Sequence, residues 1–168
     1  DTLLLSCGLI PENELSTAAG VQLNPVTNGP VVNESLETNI EGVFACGNVL
    51  QVHDLVDYVS EEAGIAGKAA VRFIRGEASK NINIAIKTDG QIRYTVPQRL
   101  TDSAPTRVYF RVADVYRDKK VVVCACDKVL YEKKKQKLAP GEMETVELTA
   151  DMINEAAAIG KALEIGLE

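Results

Sequence analysis

The first part of this chain is dominated by residues 38–70, TNIEGVFACGNVLQVHDLVDYVSEEAGIAGKAA. The apolar run at 43–46 predicts a short buried strand. Gly47 ends that strand and allows a backbone conformation in which main-chain atoms come close to a ligand. A long helix follows. This strand–turn–helix order is typical of α/β folds that bind ligands at the carboxyl end of a strand.

The helix after Gly47 is the clearest predicted element. Asp54 is the expected N-cap and Gly76 the expected stop. Between them, apolar and small residues recur at spacings of three and four, which predicts one packed face formed by Val56, Val59, Ala63, Ala66, Ala70 and Phe73. Gly64 and Gly67 each cost about 1 kcal/mol relative to Ala inside a helix. We therefore expect them to permit close packing against a strand or a cofactor.

The length of 168 residues suffices for one domain or two small ones. Residues 2–7 predict a short buried strand ended by Gly8. Because Asp1 stands at the edge of that strand, we expect the chain to continue a longer one. The sequence has no run of about 18 apolar residues and no signal-peptide pattern, which predicts no membrane span and a cytoplasmic protein.

Charge divides the chain into two parts. The net charge of −6 argues against a nucleic-acid partner. Residues 1–76 carry ten acidic and three basic side chains, whereas residues 77–168 carry fourteen and fifteen. This step predicts a first domain segment at 1–76, a linker at 77–81 and a second domain at 82–168.

From residue 82 onward the apolar period changes from helical to alternating, which predicts strands. Asp89-Gly90 is expected to close a hairpin between the first two strands. About seven short strands are predicted, with one helix at 151–158 capped by Thr149. This pattern predicts an immunoglobulin-like β-sandwich, although the sequence has no Trp and no cysteine pair with that family's spacing.

Two groups in the second domain have a structural and a functional interpretation. Cys124 and Cys126 are interpreted as buried, reduced thiols, with a redox or metal role as the alternative; too few further ligands stand nearby to assign a metal site. The lysine run at 133–137 is interpreted as a solvated strand edge that discourages aggregation. Its alternative is a docking surface for an acidic electron-transfer partner.

Three pieces of residues 1–76 resemble the pyridine nucleotide-disulfide oxidoreductases, the relatives of thioredoxin reductase. DTLLLSCGLIPENEL at 1–15 is similar to the point where the family's chain returns from its NAD domain. TNIEGVFACGN at 38–48 is similar to the family's T-x-x-x-G-hydrophobic-aromatic-A-x-G-D. The third piece is the helix with its small residues. The resemblance implies the C-terminal part of an FAD-dependent enzyme that passes hydride between NAD or NADP, flavin and an unknown acceptor.

The same resemblance implies the residues that contact FAD. These are Gly47, Asn48 and Val49 in the turn, and Val56 and Asp57 where the helix dipole favours negative charge on reduced flavin. The family has Asp where this chain has Asn48, and that carboxylate accepts a hydrogen bond from a ribityl hydroxyl. An amide accepts without charge assistance, so we expect somewhat weaker flavin binding.

Other parts of the family's machinery do not occur in this sequence. It contains no G-x-G-x-x-G and no C-x-x-C. We therefore expect both in N-terminal FAD and NAD(P) domains of a parent protein, and we expect this chain alone to be inactive, with no catalytic residue of its own. His53 is interpreted as a cap or surface residue. The resemblance further implies a partner dehydrogenase subunit or a homo-oligomer.

A non-enzymatic interpretation stays open. An apolar strand followed by a helix also forms without any ligand. Residues 1–76 would then be the remnant of a flavin domain, and the β-sandwich would bind a partner protein; the charge step and the lysine-rich edge support this alternative. The sequence upstream of Asp1 discriminates, because an open frame with G-x-G-x-x-G supports the enzyme.

Overall fold

A computed structural model describes residues 1–4, 8–78, 81–160 and 162–168. The helical elements of these residues are α1 (Glu14–Ala18), a 3₁₀ turn (Gly47–Val49), α2 (Val56–Ile74) and α3 (Ala150–Ile159). The strands are β1 (Ile84–Thr88), β2 (Ile92–Val96), β3 (Arg99–Leu100), β4 (Thr106–Val112), β5 (Tyr116–Ala125), β6 (Lys128–Leu138), β7 (Glu144–Leu148) and β8 (Ala162–Leu167). Among the described residues, no helix has the length and apolar character needed to cross a membrane.

The strands form two sheets. One has the order β3-β1-β8-β5-β6 and the other the order β2-β4-β7, with β1 and β8 as the parallel pair. Apolar residues alternate along the strands, so each sheet presents one apolar face. Both faces contribute to one hydrophobic cluster, which includes Ile84 of β1, Phe110 of β4 and Ile165 of β8, and α3 adds Ile153. Thr149 caps α3 as predicted, since its side chain accepts a hydrogen bond from the Met152 amide.

Two predictions about the connections differ from the structure. Asp89-Gly90 does not close a hairpin, because β1 and β2 belong to different sheets. The Asp89 carboxylate instead accepts hydrogen bonds from the amides of Gln91 at 2.9 Å and Leu167 at 2.8 Å, which fixes the crossover against β8. The immunoglobulin-like form of the sandwich is not confirmed. In that fold the last strand pairs with the preceding one, whereas β8 lies between β1 and β5.

The first part of the chain has less regular structure than predicted. The strand expected at 43–46 is reduced to one bridge between Glu37 and Phe44. The strand expected at 2–7 is wrong where it is described, because Leu3 and Leu4 are 82% and 89% exposed without strand structure; residues 5–7 lie outside the described residues. A small cluster including Leu36, Leu50 and Ala66 provides the core here. Among the described residues, the first part therefore has helices and isolated bridges, whereas the strands of both sheets lie in residues 84–167, so a Rossmann-like segment at the start of the chain stays a prediction.

Several hydrogen bonds join the two parts. Gln98 accepts from the Val32 amide at 2.9 Å, and the Glu34 carboxylate accepts from the Thr101 amide at 2.7 Å. Val96 of β2 belongs to the small cluster of the first part. The division into 1–76, 77–81 and 82–168 stays a prediction, and residues 79–80 of the expected linker lie outside the described residues.

Candidate functional site

The turn at Gly47 packs directly against α2. Gly47 has φ +71°, a left-handed conformation, and a Cβ placed on it would lie 3.2 Å from Cγ1 of Val59. Its amide donates a hydrogen bond to Oε2 of Glu62 at 2.7 Å. Glycine therefore serves here to bring the turn close to the helix, and its amide is already bound by a protein carboxylate.

The rest of the turn is held by side chain to main chain hydrogen bonds. Asn48 is exposed, and its Oδ1 accepts from the His53 amide at 3.3 Å. The Val49 carbonyl accepts from Nδ2 of Asn13 at 2.8 Å. An amide oxygen has two lone pairs, so Asn48 retains one acceptor position toward solvent.

The start of α2 has no side-chain cap among the described residues. Asp54 is not the N-cap as predicted, because Leu55 occupies that position and makes no side-chain hydrogen bond to the first amides. Val56 is 74% exposed and Asp57 is also exposed. The first amides of a helix have no partner within it, and the dipole gives this end partial positive charge. The site therefore offers donors to a negatively polarised acceptor.

Asp54 is instead part of a network that links this loop to the sheets. Its Oδ1 accepts from Nη2 of Arg111 on β4 at 2.5 Å, and its Oδ2 accepts from the Met143 amide at 2.8 Å. Arg111 also donates to the Val52 carbonyl at 3.2 Å and to the Tyr94 hydroxyl at 3.1 Å. The second part of the chain thus positions the loop before α2.

Beneath the turn lies a buried polar cluster that the sequence interpretation missed. Glu62 is 1% exposed and accepts from the amide of Gly47 and, at 3.0 Å, from Nε2 of Gln51. Nε2 of His53 lies 2.9 Å from Oε2 of Glu62, but a proton on that nitrogen would not point at the oxygen, so the two atoms do not form a hydrogen bond. Within the described residues, Nδ1 of His53 and Oε1 of Gln51 have no hydrogen-bond partner. The spacing of Glu62 from Val59 and Ala66 was the available signal, since all three fall on one helix face.

His53 is not a cap or surface residue. Its side chain is 1% exposed, and its ring centroid lies 6.2 Å from that of Tyr58 and 6.1 Å from that of Tyr109. Burial raises the pKa of Tyr109 to about 12, so its hydroxyl stays protonated and donates to Oε2 of Glu61 at 3.2 Å. The histidine is therefore enclosed between the first and second parts of the chain.

The cysteines differ from the predicted buried thiols. Cys126 is exposed, and Cys46 and Cys124 are half-buried. Burial and, secondarily, the charge of Glu62 raise the pKa of Cys46, which leaves its thiol protonated and weakly nucleophilic. In the described ranges, no group of three or more His, Cys, Asp or Glu side chains is arranged to hold a metal ion.

The outward face of α2 is not covered by the described chain. A Cβ on Gly64 or Gly67 would meet nothing within 4 Å, so the close packing expected of these glycines does not occur among the described residues. Ile74 near the end of the helix is 82% exposed. The buried face is formed by Glu62, Ala66 and Ala69, while Val56 and Ala63 of the predicted face point to solvent.

The first part of the chain matches a known protein family. Residues 1–70 match the model of the pyridine nucleotide-disulphide oxidoreductase family. No curated protein and no solved structure matches the chain. The match supports an oxidoreductase-type domain in the first part of the chain, and FAD and NAD(P)H are the cofactors that this family implies.

The residues fit FAD in part. The start of α2, where Val56 and Asp57 are exposed residues and the N-cap makes no side-chain hydrogen bond, suits the electron-rich edge of a flavin ring. Asn48 has an acceptor position open to solvent. The Gly47 amide does not contribute a donor, because Glu62 already binds it. The contacts of a flavin would therefore lie at Asn48 and the start of α2.

Proposed function

We propose that residues 1–76 form the closing segment of the FAD-binding domain of a thioredoxin reductase-like oxidoreductase. Residues 82–168 are then an appended β-domain of the same enzyme. The family match over residues 1–70 supports the oxidoreductase class. The observation that carries the flavin assignment is the exposed, uncapped start of α2 beside the Gly47 turn.

In this proposal the chain acts on its cofactor through position and charge. Bound FAD supplies the capacity to accept hydride from NADH or NADPH. The amides of Val56 and Asp57 would stabilise negative charge on the reduced ring, and Asn48 would accept a hydrogen bond from the ribityl chain. Glu62 holds Gly47 against α2, and Arg111 holds the loop at Asp54, so both keep these groups in place.

The remaining machinery is assigned to other domains or subunits. A phosphate-cradling glycine turn and a redox disulfide motif do not occur in the sequence, so we propose that this chain alone is inactive. Large exposed apolar residues support a surface that N-terminal FAD and NAD(P) domains cover; they include Leu9, Ile10, Leu15 and Ile74. A partner dehydrogenase subunit or a homo-oligomer, and a cytoplasmic location, belong to the same proposal.

The first test is the state of the native protein. An antibody against this chain captures the protein from its source, and its size and visible absorption are measured. A yellow polypeptide well above 18.1 kDa supports the flavoenzyme. A colourless chain of 18.1 kDa contradicts it and favours the non-enzymatic binding module.

The second test uses the native flavoprotein and its variants. Asn48→Ala is expected to weaken FAD retention by a few-fold to about tenfold, the value of one hydrogen bond. Asn154→Ala, an exposed position on α3, is the matched control and is expected to retain FAD. Unchanged FAD occupancy after dialysis of the Asn48 variant would count against the assigned role. Thermal unfolding of both variants checks that the loop has not simply loosened.

A further inference from the structure

The hairpin of β5 and β6 is strongly basic in an acidic chain. Residues 116–138 contain eight Lys and Arg and three Asp and Glu, a net charge of +5, so the rest of the chain carries −11. The hairpin is exposed along most of its length, with Lys120 at 47% and Lys134 at 66%. It therefore forms a concentrated positive surface outside the flavin site proposed above.

The strand register places like charges opposite each other. The directly facing pairs are Arg117 with Lys137, Lys119 with Lys135 and Lys120 with Lys134. Like charges in facing positions of a sheet destabilise it. Three pairs of this kind within four positions of β5 reduce stability without contributing to the core, which indicates a function for the charge.

Among the described residues, acidic side chains neutralise only half of the eight cations. Lys120 pairs with Glu132 at 3.1 Å, Lys134 with Asp118 at 3.8 Å and Lys135 with Glu144 at 2.6 Å, and Lys128 pairs with Glu155. Lys133 and Lys137 have no ion-pair partner in the described part of the chain. Several cations are therefore free to bind an external anion.

Protection of the sheet edge explains only part of the pattern. Lysines on an edge strand discourage pairing with other edges, and β6 is the last strand of its sheet. However, Lys119 and Lys120 lie on β5, which is not an edge strand because it lies between β8 and β6 in the sheet. Edge protection does not require cations there, whereas attraction of a polyanionic segment to the edge does benefit from them.

We propose that the outer edge of β6 binds an extended acidic peptide segment of a partner protein, which adds to the sheet as a further strand. The edge offers main-chain groups over the eleven residues of β6. Lysines at 133, 135 and 137 alternate with Lys134 on the opposite face, so acidic side chains on either face of an added strand meet a cation. The same lysines repel the edge of a second copy.

The composition of the hairpin favours a peptide over a nucleic acid. Seven of its eight cations are lysines, which lack the bidentate fork of arginine. Its two aromatic residues, Tyr116 and Tyr131, pack against the hydrophobic cluster and offer no stacking platform. The strongly negative remainder of the chain also opposes a long polyanion. A short acidic segment fits this surface best.

The test uses this chain and a fluorescent ten-residue peptide in which glutamate alternates with threonine. We expect binding at low salt that weakens at least about tenfold in 0.5 M salt. We also expect slower hydrogen exchange at the outward amides of β6 when the peptide is bound. A peptide N-methylated at every second residue keeps the charge but loses main-chain donors, and it is expected to bind at least about tenfold more weakly.

Matched variants identify the surface. Lys133→Glu/Lys137→Glu is expected to abolish binding, whereas Lys68→Glu/Lys87→Glu makes the same change in net charge elsewhere and is expected to leave it intact. Absence of binding at low salt overturns the proposal. Equal binding of the methylated peptide overturns strand addition, and tighter binding of a duplex oligonucleotide or an anionic vesicle overturns the choice of partner.

Discussion

The two parts of this chain achieve order in different ways. The second part buries alternating apolar residues between two sheets, and Ile84, Phe110 and Ile165 are fully enclosed. The first part has a small apolar cluster and relies on side chain to main chain hydrogen bonds, such as those of Asn13, Asn48 and Glu62. It also leaves Leu9, Ile10 and Leu15 exposed.

The second part is held together by apolar burial, whereas the first part uses hydrogen bonds to position individual groups of the candidate site. Apolar burial is not directional, so the β-strands tolerate many hydrophobic substitutions that keep the pattern and the total volume of the core. Hydrogen bonds around a turn are directional and fix individual atoms. The flavin contacts proposed above belong to the second kind of structure. We therefore expect substitutions in the second part to lower stability through lost apolar burial, and substitutions in the first part to lower it by a smaller amount through lost hydrogen bonds.

The largest effect is expected for the β-core. Phe110→Ala removes a fully buried ring and leaves a cavity between the sheets, which should cost about 3–5 kcal/mol of unfolding free energy. Urea denaturation of the 168-residue chain measures this. The control is Ile74→Ala on α2, which is 82% exposed and should change stability by less than about 0.5 kcal/mol. Comparable losses for the two variants would show that the exposed face of α2 is buried in solution.

The next effect concerns the buried carboxylate of the first part. Glu62→Ala removes the acceptor of both the Gly47 amide and Gln51, so buried donors lose their partner at a cost of about 2–3 kcal/mol. Glu62→Gln keeps one acceptor for Gly47, and its amide can donate to the unpartnered Oε1 of Gln51. We expect it to recover about half of the loss. Hydrogen exchange at Gly47 should accelerate only in the alanine variant.

A Gly47 amide that stays protected in Glu62→Ala would contradict this account. It would mean that the turn is held by its packing on Val59 and not by the carboxylate. Apolar contact would then dominate in both parts of the chain.

Most strands can be predicted from the sequence because they carry a local signal. Alternation of apolar residues predicts seven of the eight strands that the structure describes, the exception being the two-residue β3, and the Thr149 cap predicts the start of α3. Which strands pair with each other could not be predicted from the sequence. Asp89-Gly90 favours a hairpin locally, but the Asp89 carboxylate binds Leu167, which is far away in sequence. Tertiary hydrogen bonds of this kind override turn preferences.

In the candidate site, too, features with a local sequence signal could be predicted, and contacts between distant residues could not. The Gly47 turn and α2 were predictable, since glycine and helical spacing are local signals. The type and position of Asp54 suit an N-cap, yet its carboxylate binds Arg111 of β4. A single histidine carries no periodic signal, so the sequence does not predict the burial of His53. Its enclosure by Tyr58 and Tyr109 depends on how the two parts dock.

A substitution of Arg111 tests the contact between the two parts of the chain. Arg111→Lys removes the planar fork that contacts Asp54, Val52 and Tyr94 together, and we expect a loss of about 1–2 kcal/mol. Hydrogen exchange in the loop at 52–54 should accelerate more than in β5. Arg93→Lys, at an exposed position of β2, serves as the control and should leave both unchanged. Uniform acceleration throughout the chain would instead indicate that the two parts unfold as one unit.

The smallest effect is a pH dependence at the contact between Glu34 and Thr101. Burial raises the pKa of Glu34, although hydrogen bonds from Thr101 oppose it. The folded state therefore holds this proton more tightly than the unfolded state. Its contribution to stability is complete below the ordinary pKa of the group and is lost as the pH rises through the raised value.

Glu34→Gln removes this titration while keeping an acceptor for the Thr101 amide. Relative to the unsubstituted chain, the variant should therefore gain stability between pH 4 and pH 7, by less than about 1 kcal/mol. Denaturation midpoints across that range measure the difference, with Glu41→Gln, an exposed carboxylate, as the flat control. A Gln variant that loses stability as the pH rises would mean that the charge of Glu34 holds the two parts together. Their contact would then depend on electrostatics at Thr101 more than on the apolar packing of Val96.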